Sequence, residues 1–161
     1  MSAQIAVYTG SFDPITHGHL NIIQRSCQLF DRLVIGIGVN IDKKVLFTVE
    51  ERLELAREVT SSFSNVEVVD FEGLAVDFVK SLGAFVMIRG VRPMTDVSGE
   101  FSMLLANRQL APEVETVFLM ADSEYAHVSS SLIKQIAPLA TDEMLERFMP
   151  SEVVAALRAK L

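Results

Sequence analysis

Three short stretches carry the residue types from which chemistry could be built: Thr16-His17-Gly18-His19, Arg89-Gly90-Val91-Arg92 and Ser129-Ser130-Ser131. His19 falls in the first turn of an expected helix. The free N–H groups and positive dipole end of a helix start favour an anion there. An imidazole N–H in that position could donate to a phosphate oxygen on which charge builds. His17, two positions away, would point elsewhere and suits packing or solvent. His127 has no partners at metal-ligand spacing. Arg89 and Arg92 flank Gly90, and guanidinium forks match phosphate oxygens, although a pair of surface ion pairs would use the same residues. Lys43 and Lys44 read equally well as solvated lysines. The serine triplet before Leu132 has the form of a helix cap, and its hydroxyls and N–H groups could equally hold a nucleotide phosphate.

Several chemistries find no support. There is no G-x-x-x-x-G-K-[ST] loop, and Gly36-Ile37-Gly38 lies inside a strand-like run, so it is not a dinucleotide turn. No cluster of Asp, Glu and His has the spacing of a dedicated metal cage, though a hard cation could arrive with nucleotide phosphates. No Ser–His–Asp or Cys–His arrangement offers a covalent nucleophile. The one cysteine, Cys27, has no partner for a disulfide within the chain and reads as a small core residue.

These residues need elements to hold them. Residues 4–8 read as a short buried strand. Leu20, Ile23, Cys27 and Phe30 recur at steps of three and four, which predicts a helix over 19–30. Residues 33–39 are β-branched and continuous enough for a strand buried on both faces. Thr48-Val49-Glu50-Glu51 is a capping-box signature for the next helix. A strand over 66–69, a helix over 74–82 stopped by Gly83, and a strand over 85–88 follow. A long helix over Val97–Leu110, a fifth strand over 116–120 and helical pieces over Ser130–Ile136, 142–148 and 151–160 complete the chain. Strands alternating with helices predict an α/β fold, a doubly wound five-stranded parallel sheet in one domain over 1–161. Ligands should bind at the carboxyl ends of its strands, near a switch in strand order. The unusual residues all fall after expected strands, as one composite site would require.

Composition sets the outer limits. The chain has 161 residues, 50% apolar and 22% charged, which suits one globular domain and excludes a disordered or disulfide-framework protein. No apolar run approaches the ~20 residues needed to span a bilayer, and residues 1–4 lack a basic region. A cytoplasmic protein with no membrane partner is expected. A net charge of −7 argues against coating nucleic acid, so anionic ligands must be met by local basic groups.

Gly10-Ser11-Phe12-Asp13-Pro14, Thr16-His17-Gly18-His19, Ile88-Arg89-Gly90-Val91-Arg92 and Val128-Ser129-Ser130-Ser131-Leu132-Ile133-Lys134 occur in that order. With these motifs the chain resembles bacterial phosphopantetheine adenylyltransferases over essentially its whole length. The T-x-G-H and S-S-S motifs define only the wider nucleotidyltransferase superfamily, whereas R-G-x-R, the Lys43 loop and the total length narrow the match. The resemblance implies a Rossmann-like nucleotidyltransferase fold and transfer of AMP from ATP to 4′-phosphopantetheine, giving dephospho-coenzyme A and pyrophosphate. It implies direct in-line attack by the acceptor phosphate, with no adenylylated protein. His19, Lys43 and Arg92 would serve catalysis, His19 by stabilising the transition state. Ser11, Phe12, His19, Gly90, Val91, Arg92, Glu100 and the run Tyr125, Ala126, His127, Val128, Ser129, Ser130 and Ser131 would surround ATP. Ser11, Lys43, Leu74, Ala75 and Arg89 would hold the acceptor. Mg²⁺ is expected on the ATP phosphates, with no metal site on the chain, together with a homohexamer of two trimers and feedback binding of coenzyme A. Departures from the family pattern are Thr9 for Pro, Ser11 for Thr, His17 for Asn, Tyr125 for Trp, and Val97-Ser98-Gly99 where F-E-Y is usual. A transferase acting on another phosphorylated acceptor, such as nicotinate mononucleotide, and a non-catalytic nucleotide-binding module are the alternatives.

Overall fold

The structure is a computed structural model, and it describes residues 2–39, 44–92 and 97–161. Strands and helices alternate as β1 (Ile5–Gly10), α1 (His17–Leu29), β2 (Arg32–Gly38), α2 (Val49–Val59), β3 (Val66–Phe71), α3 (Ala75–Ser81), β4 (Val86–Val91), α4 (Val97–Leu110) and β5 (Glu115–Met120). A short 3₁₀ turn at Ser123–Tyr125 leads to α5 (Ser130–Ile136), α6 (Asp142–Leu145) and α7 (Ser151–Arg158). The five strands form one sheet in the order β3-β2-β1-β4-β5, with every pairing parallel. The order reverses between β1 and β4, which opens the crevice where such sheets bind ligands.

Alternation along the strands builds two cores. Ala6, Tyr8, Leu33, Ile35, Ile37 and Ile88 point to one face, against Ile22 and Ile23 of α1, Leu55 and Ala56 of α2, and the C-terminal helices. Val7, Val34 and Met87 point to the other, against Val76 and Val79 of α3. Gly36 belongs to this second face. A Cβ there would stand 2.5 Å from the Phe78 ring, and Phe71 and Phe78 stack with centroids 4.5 Å apart. Gly36 therefore serves close packing of α3 on the sheet.

Helix starts follow their sequence signals. Thr48 and Glu51 form a reciprocal capping box, the Thr48 N–H donating to Glu51 Oε2 at 2.8 Å. Helix α3 stops before Gly83, whose φ of +67° favours glycine. Two boundaries differ in a way that matters. β1 continues to Gly10 and β4 to Val91, because Thr9 and Gly10 still pair with Gly36 and Ile37, and Arg89 to Val91 with Phe118 to Met120. Arg89 and Gly90 thus lie within a strand, not in the loop expected after residue 88. Helix α1 also begins at His17, two residues earlier than the apolar steps indicated, because its start is set by the Thr16 cap.

Candidate active site

A cavity of about 370 Å³ opens at the carboxyl ends of β1 and β4. The turn after β1 forms its floor. Phe12 there has φ +48°, a left-handed conformation that costs a non-glycine residue roughly 1–2 kcal/mol. Packing holds it in place: the Phe12 ring meets Tyr8 edge-on at 5.2 Å and His19 at 4.8 Å, and the residue is buried. Gly10 allows that ring to approach, since a Cβ on it would lie 3.1 Å from Phe12. The Asp13–Pro14 peptide is cis.

His19 is the third residue of α1 and completes a capping box. Its backbone N–H donates to Thr16 Oγ1 at 3.3 Å, while the Thr16 N–H donates to His19 Nδ1 at 3.0 Å. A backbone N–H can only donate, so Nδ1 accepts and the neutral ring carries its proton on Nε2. Burial first, then the Arg89 and Arg92 charges, push the His19 pKa down to about 4. The imidazole is therefore neutral at physiological pH, with an Nε2–H available as donor.

Arg89 donates from Nε to Glu100 Oε2 at 3.0 Å and from Nη2 to Glu100 Oε1 at 2.8 Å. Its Nη1 reaches the Thr9 carbonyl at 2.7 Å, tying β4 to the end of β1. On the far wall, Ser129 caps α5, its Oγ accepting from the Leu132 N–H at 3.1 Å. Ser130 Oγ donates to the Pro14 carbonyl at 2.8 Å. The serine triplet therefore anchors α5 to the β1 turn as well as facing the cavity.

Of the residues singled out in the sequence, Ser11, Phe12, His19, Arg89, Gly90, Val91, Arg92, Glu100, Tyr125, Val128 and the three serines line this one cavity. Ala126 and His127 do not; His127 packs edge-on against Phe148 at 5.8 Å. Leu74 and Ala75 stand at the start of α3 beyond β3, outside the cavity, with Leu74 half exposed. His17 donates from its backbone to Phe148 and places Nε2 3.0 Å from the Glu146 carbonyl, a packing role. Lys43 lies outside the described residues.

Five supporting residues, Asp13, Lys134, Arg52, Asn21 and Asp122, carried no role in the sequence analysis. Asp13, buried, accepts the N–H groups of Leu46 and Phe47 at 2.9 Å each and Lys134 Nζ at 2.6 Å. Burial by itself would raise its pKa, but the Lys134 hydrogen bond, the two backbone donors and the Lys134 charge together hold it below the usual carboxylate value. Arg52, buried in α2, donates from Nη1 to the Ser11 carbonyl at 2.9 Å. Asn21 and Asp122 exchange two hydrogen bonds, at 2.7 and 3.1 Å, and clamp the exit of β5 to α1. Asp13 and Lys134 stood within the recognised motifs, but nothing in their spacing showed that they meet across 121 residues.

A neutral N–H donor, guanidinium groups and helix starts around one crevice can orient phosphates and stabilise charge that develops on them. Residues 7–136 match the cytidylyltransferase-like family, which sets the class: the chain is a nucleotidyltransferase. It is 60% identical to a phosphopantetheine adenylyltransferase of Rhodopirellula baltica over 100% of this chain and 90% of that protein. It is 48% identical to another from Carboxydothermus hydrogenoformans, over 98% and 96%. The chain belongs to the phosphopantetheine adenylyltransferase family. The fold is also that of a solved Plasmodium falciparum nicotinic acid mononucleotide adenylyltransferase complexed with NaAD, at a TM-score of 0.63 and 13% identity over 98% of this chain and 96% of that one.

Proposed function

We propose that this enzyme transfers the adenylyl group of ATP to 4′-phosphopantetheine, releasing pyrophosphate and forming dephospho-coenzyme A, a step of coenzyme A biosynthesis. The observation that carries the reading is 60% identity, over the whole chain, to a protein named for that activity. The acceptor phosphate oxygen attacks the α-phosphorus of ATP in line while pyrophosphate leaves from the opposite side, so no protein nucleophile is needed. Positioning and charge stabilisation are then the whole task of the protein.

His19 is assigned to the transition state. Its Nδ1 is engaged by Thr16, which supports an Nε2–H directed to the α-phosphate oxygen as charge accumulates. The Arg92 charge reaches His19 and supports the same anion. Arg89, with Lys43, is assigned to the acceptor phosphate. Ser11, Phe12, Gly90, Val91, Glu100 and residues 125–131 are assigned to ATP, with Ser11 also touching the acceptor. Leu74 and Ala75 are assigned to its pantetheine arm. Mg²⁺ is expected to neutralise charge on the ATP phosphates.

Coenzyme A shares the acceptor's arm and the adenylate, so it should compete for the same crevice. A cytoplasmic location is proposed from composition; no helix among the described residues is long and apolar enough to cross a membrane. Pyrophosphate release with a panel of phosphorylated acceptors tests the function. Turnover with 4′-phosphopantetheine is expected, and turnover with nicotinate mononucleotide alone would overturn the assignment.

A further inference from the structure

We infer that Glu100 is a resident counter-ion for Arg89, which the acceptor phosphate must displace in order to bind. The inference rests on the assignment of Arg89 to the acceptor phosphate. Arg89 Nε and Nη2 form the planar fork that recognises a carboxylate or a phosphate through two parallel hydrogen bonds. Both are committed to Glu100, at 3.0 and 2.8 Å, and Nη1 is committed to the Thr9 carbonyl at 2.7 Å. The pair is mostly shielded, with the Arg89 and Glu100 side chains 30% and 19% exposed. A phosphate dianion and the Glu100 carboxylate cannot share this fork, since like charges at such separations repel strongly where water is scarce.

The local backbone suits an exchange in which Glu100 moves and Arg89 stays. Arg89 is fixed within β4 and tethered to β1 through Thr9. Glu100 sits in the first turn of α4, beside Gly99, around whose Cβ position there is open space. A carboxylate released there keeps the favourable interaction of an acidic group with a helix N-terminus. Glu100 would thereby set the affinity for the acceptor's phosphate, with a dianion able to take the fork that a neutral, unphosphorylated arm could not.

Calorimetry with 4′-phosphopantetheine, and separately with a non-hydrolysable ATP analogue, tests this on the wild type, Glu100→Gln, Glu100→Ala, Arg89→Met and the Arg89→Met/Glu100→Ala double variant. Removing the counter-ion should tighten acceptor binding by ~2–5-fold, the worth of a partly exposed ion pair. The gain should be larger for Glu100→Ala, because Gln can still accept from Arg89. It should vanish in the Arg89→Met background and be absent for the ATP analogue. Weaker acceptor binding in both Glu100 variants would make Glu100 an orienting group and overturn the inference. An equal gain without Arg89, or an equal gain for the nucleotide, would reduce it to a general field effect and overturn it as well. Wild-type pyrophosphate release separates the two levels. Turnover on 4′-phosphopantetheine with no gain in the variants removes only this inference, whereas absence of turnover removes the functional assignment too.

Discussion

His19 occupies the position where a capping box normally carries Glu or Gln. A carboxylate there would satisfy the Thr16 N–H but place a negative charge beside the incoming phosphates. The imidazole satisfies the same N–H with a lone pair and retains a donor on its other nitrogen. His19→Ala should therefore lower kcat by roughly 10²–10³, the loss expected for a preorganised transition-state donor. ATP affinity should change much less, because the bond strengthens only as charge develops. Single-turnover rates and calorimetry on the same variant measure the two quantities. The depressed pKa also makes His19 a source of acid sensitivity. The unfolded chain binds this proton near pH 6.5 and the folded chain only near pH 4, so stability falls as pH drops through that window. Between pH 7.5 and 4.5 the wild type should lose about 2–3 kcal/mol more than His19→Gln in denaturant titrations. Equal losses would show that His19 accepts its proton in the folded protein.

At the scale of elements, two glycines have opposite consequences. Gly36 is where α3 comes down on β2, and a methyl group there meets Phe78 at 2.5 Å. Gly36→Ala should destabilise by ~1–3 kcal/mol, the usual cost of overpacking a core. Gly99 has no neighbour within 4 Å of its Cβ position and lies inside α4. Gly99→Ala should stabilise by ~0.5–1 kcal/mol through helix propensity. Thermal melts of the two variants should move in opposite directions, and a destabilised Gly99→Ala would mean that α4 needs its glycine. Asp13 acts between elements, joining the β1 turn, the segment leading into α2, and α5 through three hydrogen bonds to its carboxylate, while the neighbouring Pro14 carbonyl accepts a fourth from Ser130 Oγ. Such long-range contacts tie the cavity walls to one another.

The whole molecule leaves one helix poorly covered. Phe101, Met103, Leu105 and Leu110 of α4 are each more than half exposed, and Phe85 at the start of β4 is 60% exposed. Exposed apolar side chains of this kind are the ones an association surface would cover. The hexamer proposed from the family resemblance would use it, since closed symmetric assemblies bury such faces. Leu105→Glu should shift light scattering from the assembly toward smaller species while far-ultraviolet circular dichroism stays unchanged. A wild type that scatters as a monomer at micromolar concentration would refute assembly altogether.

Local signals read without the fold gave the order of strands and helices, the Thr48–Glu51 box and the stop at Gly83, because each depends on residues a few positions apart. The parallel sheet followed from strand–helix alternation, and the motif residues pointed to its carboxyl edge. The pairing that carries β4 through Arg89 was invisible in the chain, since it depends on β5, some thirty residues later. The Arg89–Glu100 fork and the Asp13–Lys134 pair were equally hidden: composition shows that opposite charges exist, but only packing brings them within hydrogen-bond reach. The neutrality of His19 has the same origin. Its spacing from Thr16 was legible, while its pKa follows from burial and from two arginines delivered by a distant strand, and desolvation is a property of the assembled crevice.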